Sequence, residues 1–171
     1  MKRFCLLLLA TLGTAFAFSE STSVLILYNR NTPVNSDVIH FLQDQFARNK
    51  ADVTLKPEAI PAQVTPGQLV LVLNTGLSQG IDRQLANEVS KIDDKSKILL
   101  LSIEKGSKAG TFETLPSSPA TLGVDAVTSA SRWEGPGFAS FFGGKPSANY
   151  LMQSQWALYV LHWIEKARTA L

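Results

Sequence analysis

Leu69-Val-Leu-Val-Leu73 constrains this chain more than any other stretch. It is an apolar run with no polar alternation. An extended segment sends successive side chains to opposite sides, so both of its faces must be covered. That is the pattern of a strand inside a parallel sheet with helices packed on it. Val24–Tyr28 and Lys97–Ile103 repeat the pattern, and Asp52–Lys56 and Val124–Thr128 are shorter versions of it. Five strands follow, with Leu69–Asn74 as the central one.

Helical periodicity fills the gaps between these runs. Ser36 is placed to cap a helix over Asp37–Lys50, with Val38, Leu42 and Phe46 on one face. Ser78 is a candidate cap for a helix whose stripe is Ile81, Leu85, Val89 and Ile92. Ser147 precedes a last helix over Asn149–Arg168, whose Tyr150, Trp156, Tyr159 and Trp163 suit the covering of a sheet face. Pro57–Gln68 holds three prolines and at most one helical turn. Glu104–Gly123 reads as a long loop of the kind that often carries function. Alternation of strands and helices predicts an α/β fold: a three-layer sandwich around a mostly parallel five-stranded sheet. It resembles flavodoxin, whose strand order is 2-1-3-4-5 and whose ligands lie at the carboxyl ends of the strands.

The amino terminus carries a different signal. Lys2 and Arg3, the apolar Phe4–Leu12 and the small-x-small Ala15-Phe16-Ala17 form a secretory leader pattern over residues 1–17. The apolar stretch is shorter than the ~20 residues of a spanning helix. The reading is therefore an exported, periplasmic or secreted single domain over 18–171, with no membrane span after cleavage. Retention of the leader as an anchor is the alternative. Cys5, the one cysteine, lies in the leader, so the mature domain has no thiol chemistry and no disulfide. Its stability must come from an ordinary hydrophobic core. The whole chain has 16 basic and 14 acidic residues, and Lys2 and Arg3 account for the difference. A neutral domain without basic runs does not suit nucleic acid or an anionic membrane surface.

Few residues carry recognisable chemistry. His40 and His162 fall in the middle of expected helices, and no Gly-x-Ser-x-Gly elbow exists, which argues against a Ser-His-Asp hydrolase. No His, Asp or Glu grouping has metal-ligand spacing. The candidates are the loops after the strands: Asn29–Ser36, Asn74–Ser78, Ser102–Glu104 and Thr128–Ser131. Asn31, Thr32, Asn35 and Ser36 precede an expected helix and are candidates for a phosphate cradle. Thr75 and Gly76 end the central strand and offer backbone contacts. The flavodoxin phosphate loop is richer in hydroxyls and contains a glycine, whereas this loop has Pro33.

Asp125-Ala-Val-Thr-Ser-Ala-Ser131 resembles the flavinylation motif of extracytoplasmic FMN-binding domains, Asp-x-x-Ser/Thr-Gly-Ala-Thr/Ser. Asp125, Thr128 and Ala130 fall on the pattern. Ser129 stands where glycine is usual, and Ser131 where threonine is usual. The resemblance implies FMN as cofactor, joined by phosphoester to Ser131, with Trp133 among the aromatics available to stack on the ring. It also implies an electron carrier or small redox protein with a redox or envelope partner. A second resemblance is to one lobe of a periplasmic solute-binding protein, carried by the Leu73-Asn-Thr-Gly76 strand end. It implies a non-enzymatic binding or interaction module.

Overall fold

The computed structural model describes residues 21–75, 81–103, 112–115, 122–129 and 148–170. The fold is α/β with a parallel sheet. Its elements are β1 (Thr22–Tyr28), α1 (Pro33–Arg48), β2 (Val53–Ala59), β3 (Leu69–Thr75), α2 (Arg83–Ser90), β4 (Ile98–Ile103), β5 (Phe112–Leu115), β6 (Asp125–Ser129) and α3 (Ala148–Thr169). The sheet order is β2-β1-β3-β4-β6-β5. β2, β1, β3, β4 and β6 are parallel, and β5 pairs antiparallel with β6.

The five expected strands are present, in an order compatible with a flavodoxin-like fold, but the sheet has six. The extra strand, β5, lies within Glu104–Gly123, a stretch whose sequence reads as a loop. It adds to the free edge of β6, where backbone pairing needs no strong apolar pattern. Two strand and helix boundaries also differ from expectation. β2 runs on through Pro57, tolerated because β2 is an edge strand. α1 begins at Pro33 rather than Asp37. Thr32, not Ser36, is its cap and accepts a hydrogen bond from the Asn35 N–H, with Pro33 at the first helical position.

The continuous apolar runs are buried on both faces, as their composition requires. Val24, Ile26, Leu71, Leu99 and Leu101 face α1 and α3 in one cluster. Leu25, Leu27, Val70, Val72, Ile98 and Leu100 face α2 in the other. Val38, Leu42 and Phe46 are the buried stripe of α1, and Leu85 and Val89 that of α2. In α3, Trp156 and Trp163 are buried, whereas Tyr159 is on the surface. α3 runs antiparallel to the strands. Its last turn lies at their amino ends, where buried Lys97 donates to the Ala167 carbonyl (2.8 Å) and Arg168 to the Thr22 hydroxyl (3.2 Å). No described helix is long and apolar enough to cross a membrane.

Candidate functional site

Strand order reverses between β1 and β3: the chain leaves β1 toward β2 on one side and returns to β3 on the other. Two loops therefore part at the carboxyl ends of β1 and β3, and a crevice opens between them. Here it is a cleft of about 280 Å³, walled by Asn29, Arg30, Asn35, Asn74, Thr75 and Asp82 among others.

Asp82 organises the cleft. It is the N-cap of α2, and its Oδ1 accepts from the backbone N–H groups of Gln84 (2.8 Å) and Leu85 (3.2 Å). Its Oδ2 accepts from Asn29 Nδ2 at 2.9 Å. Its own N–H donates to Asn74 Oδ1 at 3.0 Å, and Asn74 Nδ2 donates to the Ser102 hydroxyl at 2.6 Å. Asn74 is buried, and it fastens the start of α2 to two adjacent strands. Burial pushes the Asp82 carboxyl up. The hydrogen bonds from Leu85, Asn29 and Gln84 and the nearby Arg30 charge outweigh this and hold it below the ordinary aspartate range.

That direction has a consequence for acid stability. A carboxyl depressed on folding stabilises the fold above its unfolded pKa, about 3.9. The contribution is lost as pH falls through the lower folded value. Asp82→Asn keeps a good cap but removes the ionisation. Urea midpoints measured between pH 6 and 2.5 are expected to fall further in the wild type than in Asp82→Asn, with the difference arising below pH 4.

On the other wall, Asn35 is buried and bonded at both ends of its amide. Its Nδ2 donates to the Arg30 carbonyl at 2.6 Å, and its Oδ1 accepts from the Thr75 hydroxyl at 2.6 Å. The Ser36 hydroxyl donates to Asn31 Oδ1 at 3.1 Å on the surface, and the Ser36 N–H goes to the Thr32 carbonyl. Most of the polar groups expected to form a phosphate cradle are therefore bonded within the chain. Pro33 has no N–H, the Asn35 N–H is taken by Thr32, and the Asn35 side chain is spent holding two loops together. A phosphate facing the ionised Asp82 would also be repelled.

Of the sequence candidates, Thr32, Asn35 and Thr75 come together in the cleft. Asn31 and Ser36 bond each other outside its lining. Thr128 lies near the end of β6, opposite Ser102, which is in turn opposite Asn74. It is therefore on the same edge, two strands away, roughly 10 Å. Asp125 does not join them. It opens β6 opposite Leu99, at the amino edge of the sheet, and its Oδ2 accepts from Trp163 Nε1 at 3.1 Å. Gly76, Ser78, Ser131, Trp133 and Ser147 lie outside the described residues.

The residue missed was Asp82; Asn29 and Arg30 fall inside the candidate loop Asn29–Ser36 but were not singled out within it. Asp82 had a readable signal, since an aspartate three residues ahead of an apolar position such as Leu85 marks a helix start, and it, not Ser78, caps α2. Asn29 and Arg30 had none beyond lying in a turn. His40 and His162 sit exposed within α1 and α3. Among the described residues no His, Cys, Asp or Glu cluster has metal-binding geometry. The chain matches no protein-family model and no curated protein.

Proposed function

We propose that this chain is an exported, three-layer, flavodoxin-like binding module that holds a small polar solute at the carboxyl edge of its sheet. One observation carries the reading. The reversal of strand order coincides with a cleft walled by an ionised carboxylate, amides and a hydroxyl. Open α/β sheets take ligands at such reversals. Asp82 Oδ2 accepts from Asn29 and, like any carboxylate oxygen, has capacity for a second donor. A solute facing it brings an ammonium group or hydroxyls. Arg30, exposed at the rim, adds a partner for a carboxylate.

The test is a thermal-shift titration with L-lysine, putrescine and sorbitol. At least one is expected to raise the melting temperature of the wild type in a saturable way and to leave Asp82→Asn unchanged. Equal shifts in both proteins, or none in either, would remove the reading.

A second reading keeps FMN, attached through the Asp125–Ser131 run. It is favoured by the register that brings Thr128 and Ser129 to the same edge as Asn74 and Thr75. It does not use the α1 loop for the phosphate. Bound there, FMN would supply one-electron and two-electron redox chemistry to a partner. Protein purified from a host with its flavin transferase then absorbs in the visible and is heavier by one FMN moiety. A colourless protein at its unmodified mass excludes the covalent form.

A further inference from the structure

The core-facing stripe of α3 contains one residue that does not belong in a core. Gln153, Ala157, Val160 and Ile164 recur at helical spacing and are all buried. Gln153 is 1% exposed, and among the described residues neither its Nε2 nor its Oε1 meets a hydrogen-bond partner. A buried amide left in this way forfeits its hydration without recompense, and native proteins rarely keep one without use.

Its height along the sheet follows from distances already fixed. Trp163 Nε1 reaches Asp125, the first residue of β6. Gln153 lies about three helical turns earlier, roughly 15 Å. Since α3 runs antiparallel to the strands, this brings Gln153 to the far end of β6, which is roughly 13 Å long. This puts the orphan amide at the height of the carboxyl edge of the sheet, level with the last residues of β4 and β6. The same face carries apolar Trp156, Ala157 and Ile103.

A primary amide presents a donor and an acceptor side by side. The group that satisfies both at once has an N–H next to a C=O. A trans peptide points the two in opposite directions, but a cis-lactam or cyclic imide has them on one edge. We infer that Gln153 reads the lactam or imide edge of a planar heterocycle seated at the carboxyl ends of β4 and β6. The inference rests on the reading of this edge as the ligand-binding edge. A flavin ring and a pyrimidine share this chemistry.

The experiment combines stability with binding on the mature protein. Gln153→Met and Gln153→Leu replace the amide with apolar groups of similar size. With the amide unpaired in the free protein, at least one of the two is expected to melt higher than wild type, by roughly 2–6 °C. Riboflavin and uracil are then titrated by calorimetry, with 3-methylriboflavin as a control whose imide N–H is blocked. Wild type is expected to bind riboflavin or uracil at least tenfold more tightly than the stabilised variant does. If riboflavin is the ligand, N3-methylation costs a similar factor; if only uracil binds, the ligand is a pyrimidine. A lower melting temperature in both variants would show that the chain itself satisfies the amide and would overturn the inference. Binding that is indifferent to Gln153, or no binding of either probe, overturns it too. An Asp82-dependent solute response would survive those outcomes, so failure here and failure of the cleft are distinguishable.

Discussion

Trp156→Ala is expected to lower the stability of the domain by about 3–5 kcal/mol. Trp156 is 2% exposed and is among the largest fully enclosed side chains. It packs in the cluster that joins α3 to α1 and to the inward side chains of β1, β3 and β4. Truncation removes the transfer free energy of an indole and leaves a void between a helix and a close-packed sheet, which cannot collapse onto it. Domains are stable by about 5–15 kcal/mol in all, so the loss is a large share of the total. Urea unfolding followed by far-ultraviolet circular dichroism checks it. A midpoint within error of wild type would mean that α3 is not held by this contact.

Asn74→Leu is expected to cost about 2–4 kcal/mol and to disable the cleft. Leucine fills a similar volume, so the effect isolates the hydrogen bonds. Asn74 is 2% exposed, accepts from the Asp82 N–H and donates to Ser102. Its loss strands two polar groups, each worth roughly 1–3 kcal/mol when left unmet. It also frees the N-cap residue of α2, which carries the carboxylate. The expected signature is a lower urea midpoint at unchanged slope, with the solute response of the wild type gone. A stable Asn74→Leu protein that still responds would show that the network does not build the site.

Much of the fold was legible because burial on two faces leaves a strong mark. A run such as Leu69–Leu73 has no place except in a sheet covered on both faces, and the spacing of Leu85 and Val89 marks a helix, although Ile81 and Ile92 of the same stripe lie just beyond its ends. Local starts were harder. Thr32-Pro33 is a helix-start signal in its own right, yet Ser36 with Asp37 offered a competing one, and only packing separates them. β5 was invisible because its pairing comes from the exposed edge of β6, not from its own four residues.

The candidate site was half legible. Topology gave the edge, and with it Thr32, Asn35 and Thr75. It did not give the roles, since Asn35 and Thr75 turn out to bond each other. The Asp125–Ser131 resemblance shows the limit most clearly. A motif laid along a strand is stretched by about 3.3 Å per residue. Asp125 and Thr128 therefore sit near opposite edges of the sheet, and Asp125 is occupied by Trp163.

The central claim, that the cleft between β1 and β3 takes a solute through Asp82, is tested most directly by side-chain amide NMR. The Asn29 NH₂ group donates to the Asp82 carboxylate, and the Asn74 NH₂ group belongs to the residue that accepts the Asp82 backbone N–H. With the solute that shifts the melting temperature, both resonances are expected to move together, saturably and with one affinity, and to stay still in Asp82→Asn. Movement confined to other parts of the protein, with these two amides unchanged at saturation, would contradict the account.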